Sequence, residues 1–225
     1  MFTVQPADLR TVYGCLMHHA AEHERLGAAI QAKPYEAAPR APVLYIKPSN
    51  TFSAHGSHIA LPRGEPSMQV RACLGLFFKQ NKPLAGIKYT SNATEFIVNG
   101  WADYSLPQPN FFRPPVKFNA FDGSLGLPAQ GHVIAANAVS QLQLETWVNS
   151  ECVQTYQTKD WLQSAPDMFR SVSEFIAWEH GDVLLMGAPS EGVAVKAGDE
   201  VELRVVLPDA SVLPGGARQV IAEAA

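Results

Sequence analysis

Proline and glycine recur so often along this chain that only short elements fit between them: 17 prolines and 16 glycines are spread over 225 residues. Each proline fixes φ and removes a backbone donor, and each glycine favours a turn. Short apolar runs bounded by such residues read as strands. The expected strands are Val12–Leu16, Val43–Lys47, Val70–Lys79, Phe96–Trp101, His132–Ala136, Leu142–Val148, Val183–Met186 and Val201–Leu207. Two helices interrupt them. Ala20–Gln31 carries good helix formers broken only by Gly27. The second begins near Ser164: Ser164 can cap, Pro166 suits the first turn, and Asp167 completes a capping-box pattern. Phe169, Val172 and Ile176 then share a face, and the helix ends before Gly181. Gly181-Asp182 and Gly198-Asp199 each mark a tight turn before a strand. The Ala-rich C-terminal tail is expected to fray. The pattern reads as mainly β with few helices (α+β). It forms a single domain over 1–225, with an N-terminal strand and helix in 1–42 and a β core in 43–210.

Composition removes several function classes. Hydrophobic residues at 47% against 17% charged support a packed globule. A net charge of -4 without a Lys/Arg cluster argues against nucleic acid as a partner. The apolar runs are too short to span a membrane, and Met1–Arg10, which carries Asp8, lacks the apolar core of a secretory signal. Cys15, Cys73 and Cys152 are odd in number and lack paired metal spacing, which fits a reducing cytoplasm.

Several segments could carry chemistry. Val43–Lys47 ends in a cation, and Pro48-Ser49-Asn50-Thr51 follows as a turn. This places Lys47, Ser49 and Asn50 at a strand end, an arrangement suited to a small anionic ligand; a surface lysine before an ordinary turn is the alternative. In His18-His19-Ala20-Ala21-Glu22-His23, His19 and Glu22 stand three residues apart on one helical face. A carboxylate beside an imidazole is the wiring of a general base, although a solvated helix end would show the same residues. Arg71 and Cys73 alternate on one face of their strand, and Asp103 closes another as a lone carboxylate, a common turn or cap residue. Asn110–Lys117 offers Arg113 and Lys117 under aromatic cover, which could clamp a carboxylate or form a structural ion pair. Gly187-Ala188-Pro189 leaves a strand with room for close ligand approach, or as a plain loop.

In this order and spacing the segments resemble the fumarylacetoacetate hydrolase superfamily. Its landmarks here are His19-x-x-Glu22, Lys47-Pro48-Ser49-Asn50-Thr51, Asp103-Tyr104-Ser105-Leu106-Pro107, Phe111-Phe112-Arg113-Pro114, Asp122-Gly123, Ser173-Glu174-Phe175, Gly181-Asp182 and Gly187-Ala188-Pro189. Within it, the N-terminal half of the bifunctional isomerase/decarboxylases of homoprotocatechuate degradation is similar. The resemblance implies a mixed β-roll, with residues 1–42 supplying a strand and a lid helix. It also implies a homodimer, or a heterodimer with a related subunit. The implied activity is isomerisation, decarboxylation or C–C hydrolysis of an unsaturated 2-oxo or 2-hydroxy dicarboxylate from aromatic catabolism. Mg²⁺ is the implied cofactor, without an organic one. The implied catalytic residues are His19, Glu22 and Lys47. Lys47, Ser49, Asn50, Arg113, Gly187 and Ala188 would contact substrate, and Asp103 would be a metal carboxylate. The chain departs from the pattern at four places. Arg71 and Cys73 stand where two further metal carboxylates belong, Asn119 replaces a lysine, and Ala188 replaces a threonine. A catalytically degenerate partner of a metal-bearing paralogue is therefore the alternative reading.

Overall fold

The computed structural model describes residues 2–33, 36–78, 94–107, 116–189 and 192–223. Arg113 and the Phe111-Phe112 pair lie outside them. Two sheets carry the fold. The larger has ten strands, with the main order Phe2–Thr3, Gln130–Ala135, Glu95–Ser105, Met68–Phe77, Val183–Leu185, Val12–Leu16, Val43–Lys47. Pairing is antiparallel along this path except between Val183–Leu185 and Val12–Leu16, so the sheet is mixed. The six-stranded sheet runs Glu151–Gln157, Gln143–Val148, Glu200–Val206, Arg218–Ala222, His58–Ala60, with Val212–Leu213 at the side of Glu200–Val206. The mainly-β class expected from the sequence is the class observed.

Glu200–Val206 alternates strictly between buried and partly buried residues, as a strand with one face on a core should. Its buried Val201, Leu203 and Val205 pack toward the large sheet, where Gly100 lies beneath Leu203 and Val205. The long central strands Met68–Phe77 and Glu95–Ser105 are buried on both faces along most of their length. Tyr156 bridges the layers by donating to the Ala72 carbonyl at 2.7 Å.

The large sheet curls on itself. Val43–Lys47 and Glu95–Ser105 are separated by three strands in the sheet order. Yet past Lys47 the chain enters Phe52–Ser53, which pairs with Leu125–Gly126, and that strand pairs with Ala102 and Asp103. The curl brings the end of Val43–Lys47 back over the central strand, and the site forms there.

Several expected boundaries moved. Phe96–Trp101 is the middle of a strand reaching Ser105, so Asp103 is a strand residue rather than a turn or cap. The helix expected over Ala20–Gln31 is α only to Leu26. Gly27 ends it, and Gly27–Gln31 continues as a 3₁₀ turn. The second helix is capped by Ser164 as expected, with the Asp167 amide donating to Ser164 Oγ at 3.3 Å, but it stops at Ser173. Glu151–Gln157 was not foreseen as a strand. It follows the two-residue turn Asn149-Ser150, both at positive φ, which suits the twist of a tight hairpin. Arg218–Ala222, not foreseen as a strand, is an internal strand pairing with Glu200–Val206 on one side and His58–Ala60 on the other.

Candidate functional site

Cross-strand register assembles the centre of the site. Arg71 on Met68–Phe77 lies directly opposite Asp103 on Glu95–Ser105, so both side chains leave the sheet on one face. Cys73, two residues along from Arg71, shares that face. Tyr45 and Lys47 also alternate on one face of their strand, and the curl aims both at the same carboxylate. Lys47 Nζ lies 2.6 Å from Asp103 Oδ1, and the Tyr45 hydroxyl donates to Asp103 Oδ2 at 2.6 Å. Lys47 is almost wholly buried, at 1% exposure. Its ammonium also donates to the carbonyls of Tyr104 at 3.0 Å, Ser124 at 3.1 Å, and Asn119. Burial pushes the Lys47 pKa down, and the Asp103 carboxylate opposes that shift.

A cavity of about 20 Å³ opens beside Asp103, lined by Cys15, Leu16, Glu22, Tyr45, Arg71, Cys73, Asp103 and Ala188. It has room for about one water molecule. Glu22 reaches it from the helix Ala20–Leu26. Burial raises the Glu22 pKa, opposed chiefly by the Arg71 guanidinium and by a hydrogen bond from the Met17 backbone. Arg71 Nη1 donates to Ser105 Oγ at 2.7 Å. Burial raises Cys15 to about 12 and pushes Cys73 well up, so both thiols stay protonated near neutrality and are poor nucleophiles or metal ligands.

The sequence-derived site residues divide sharply. Glu22, Arg71, Cys73, Asp103 and Ala188 line the cavity. Lys47 does not: it lies beneath Asp103, and its ammonium is consumed by protein acceptors. Ser49 and Asn50 are exposed in a 3₁₀ turn, where Asn50 Nδ2 donates to Asp122 Oδ1 at 2.7 Å and pins the Asp122-Gly123 turn. Gly187 is closely approached by His18, whose Cβ would stand 2.8 Å from a Cβ at that position, and its carbonyl accepts from Trp161 Nε1 at 2.6 Å. Lys117 is exposed and pairs with Glu65 at 3.5 Å.

His19 caps the helix that carries Glu22. Its Nδ1 accepts from the Ala21 amide at 3.2 Å, its ring meets Tyr156 edge-on, and its backbone bridges to Trp161. Nδ1 is therefore unprotonated and engaged. Burial lowers the His19 pKa, opposed by Asp160 and Glu24. The expected His19–Glu22 hydrogen bond is not among those of the described residues. Tyr45 was missed in the sequence, although it stands two residues before Lys47 on the same strand face.

The donor set does not suit a hard dication. Such an ion wants several oxygen ligands. Here one Asp103 oxygen faces an ammonium and the other accepts a phenol hydrogen bond. The two neighbouring positions offer a guanidinium and a protonated thiol. Among the described residues no cluster of three His, Cys, Asp or Glu side chains is placed to hold a metal. Asp103, expected as a metal carboxylate, is held here in an ion pair with Lys47.

Comparison with known proteins places this geometry in context. Residues 9–216 match the family model described as fumarylacetoacetate (FAA) hydrolase C-terminal. The chain is 31% identical over 216 residues to the 4-hydroxyphenylacetate degradation bifunctional isomerase/decarboxylase of Salmonella dublin, covering 95% of this chain and 47% of that protein. It therefore spans about half the length of that relative. Among solved structures, 5-carboxymethyl-2-hydroxymuconate delta-isomerase from Mycobacterium smegmatis superposes with a TM-score of 0.69 at 18% identity, covering 97% of this chain and 80% of that one. Fumarylpyruvate hydrolase from Pseudomonas aeruginosa, solved in complex with Mn²⁺ and pyruvate, gives 0.66 at 17% identity, covering 96% and 90%. At these identities the structures support the fold alone.

Proposed function

The chain belongs to the fumarylacetoacetate hydrolase family, and on that premise we propose that it acts on an unsaturated 2-oxo or 2-hydroxy dicarboxylate from aromatic catabolism. Isomerisation is the reaction its residues support best, ahead of decarboxylation or C–C hydrolysis. The observation that carries this reading is the convergence of Glu22, Arg71 and Asp103 on one enclosed cavity. Glu22, its pKa raised by burial, takes a proton from the carbon next to the carbonyl and returns it further along the conjugated chain. Negative charge then develops on the carbonyl oxygen, and the Arg71 guanidinium stabilises it. Proton shuttling of this kind needs less electrophilic assistance than breaking a C–C bond. His19 acts by capping the helix that presents Glu22. Lys47 acts by holding Asp103 rather than by gripping substrate. The cavity fits a water rather than a dicarboxylate, so the helix Ala20–Leu26 moves aside when substrate enters. A reducing cytoplasm suits the free thiols Cys15 and Cys73, and a dimer is the family arrangement.

The test is to follow the ultraviolet absorbance of a 2-hydroxy-dienedioate, with Mg²⁺ and with chelator. Turnover should persist in chelator and fall about 10²–10³-fold in Arg71→Gln. No turnover under either condition would sink the reading for that substrate. A second reading also has an observation behind it: two acid positions hold Arg71 and Cys73, and the chain spans about half of its curated relative. It would then be a non-catalytic partner of a metal-bearing paralogue, which a mixing experiment reporting activity only from the pair would reveal.

A further inference from the structure

Asp103 is a buried acid with one oxygen hydrogen-bonded to a phenol and the other ion-paired to an ammonium without a directed hydrogen bond, and the phenol contact exists only because of a glycine on another strand. Gly14 stands directly opposite Tyr45 in the antiparallel pair Val12–Leu16 and Val43–Lys47. A Cβ at position 14 would come within 2.1 Å of Tyr45 Cζ and 2.4 Å of its hydroxyl oxygen. Any other residue there would push the ring out of its slot. With glycine, the ring lies flat across the neighbouring strand, and the hydroxyl reaches Asp103 Oδ2 at 2.6 Å while Lys47 takes Oδ1. Burial and the neighbouring carboxylate both keep that phenol protonated.

We propose that Tyr45, admitted by Gly14, decides the charge of the ligand this cavity accepts: by capping Asp103 it makes the pocket an oxyanion site facing Arg71 and closes it to a divalent cation. This deepens the reading above and names its ligand class, a planar oxyanion such as the enolate or carboxylate end of a 2-oxo acid. The electrostatics are direct. An uncapped Asp103 would present a bare lone pair to the cavity, repelling an anion and inviting a cation. Capped by a phenol and paired with an ammonium, it presents little charge, and the Arg71 guanidinium then faces one carboxylate in the cavity, that of Glu22, rather than two. Tyr45 is a positioning residue here, since its only proton is spent on Asp103.

Oxalate and Mn²⁺ are the probes. Oxalate, a planar dianion that enters as the helix Ala20–Leu26 moves aside, should bind the wild-type protein in excess chelator by calorimetry, and adding Mn²⁺ in place of chelator should not tighten it. Tyr45→Phe keeps the ring and removes only the cap, so oxalate should bind roughly tenfold more weakly. Gly14→Ala, which displaces the ring, should match it. For the cation, Arg71→Glu restores one carboxylate beside Asp103. Adding Tyr45→Phe to it should raise Mn²⁺ affinity about tenfold or more by electron paramagnetic resonance. A merely structural tyrosine would weaken both ligands rather than move them in opposite directions. The inference is overturned if wild type needs Mn²⁺ to bind oxalate or binds none. It is equally overturned if Tyr45→Phe leaves oxalate affinity unchanged, or if it fails to raise Mn²⁺ affinity in the Arg71→Glu background. Turnover enters none of these titrations. An inactive protein showing these shifts would therefore contradict the proposed reaction and leave the inference standing, and an active one without them would do the reverse.

Discussion

Asp103 and Asp182 are both buried carboxylates of the same curled sheet, and they are held in opposite ways. Asp182, fully buried at 0% exposure, sits in the turn before Val183–Leu185. It accepts from the backbone amides of Glu179 at 2.8 Å and Thr11 at 3.2 Å, and from Arg10 at 3.0 Å. These donors tie the turn to the start of Val12–Leu16, and the cavity beside Asp103 does not extend to it. Among the described residues Asp103 has only side-chain partners, Lys47 and Tyr45, and it opens onto a cavity with Arg71 and Glu22. Backbone donors are fixed by the fold and cannot be exchanged for a ligand. Side-chain donors can be replaced one at a time, and this makes the Asp103 corner the one able to evolve chemistry.

The largest effect should come from Lys47→Met. It strands the Asp103 charge in the interior, and breaking such a pair costs about 3–5 kcal/mol. Urea unfolding measures it, and Asp103→Asn added to the same protein should recover much of the loss. A cost under about 1 kcal/mol would show that the carbonyls around Lys47, not Asp103, define that corner.

A third buried group, His18, extends the comparison to pH. Burial lowers its pKa from 6.5 to about 4, helped by His19 and His23 and opposed by a hydrogen bond to the Gln163 backbone. A depressed folded pKa means the folded state binds fewer protons than the unfolded one. Its stabilisation is therefore complete above pH 6.5 and is lost as pH falls toward 4. The loss should total about 3 kcal/mol across that window, read from urea midpoints, and His18→Gln should flatten the slope.

Asp182→Asn should cost about 2 kcal/mol, because one amide oxygen cannot satisfy two backbone donors and an arginine. It should leave oxalate binding at the Asp103 corner unchanged; a change there would erase the distinction between the two acids. Smallest is Arg10→Met. Arg10 is 48% exposed where it meets Asp182, so its loss should cost about 1 kcal/mol or less. A larger cost would mean that Asp182, too, is held mainly by a side chain.

Much of this was legible in the chain itself. Lys47 ends its strand where the proline follows, Arg71 and Cys73 share a face, Ser164 caps its helix, and the order of short motifs identified the family. Glu151–Gln157 escaped because Glu-Cys-Val-Gln-Thr-Tyr-Gln has no clean apolar alternation. It is an edge strand and is mostly exposed. Arg218–Ala222 escaped because a short segment becomes a strand only when two partners distant in sequence flank it. The roles given to Ser49, Asn50 and Lys47 followed from their position at a strand end. That position does not say which way a turn faces or which acceptors surround an ammonium.

Alternation along each strand, read from residue types alone, determined which side chains share a face, because the pleat has a fixed period of two. Only the folded sheet decided that Tyr45 and Lys47 would meet Asp103 across three intervening strands. That meeting depends on accumulated twist and on the closing pairs through Phe52–Ser53 and Leu125–Gly126, long-range geometry that no local propensity encodes.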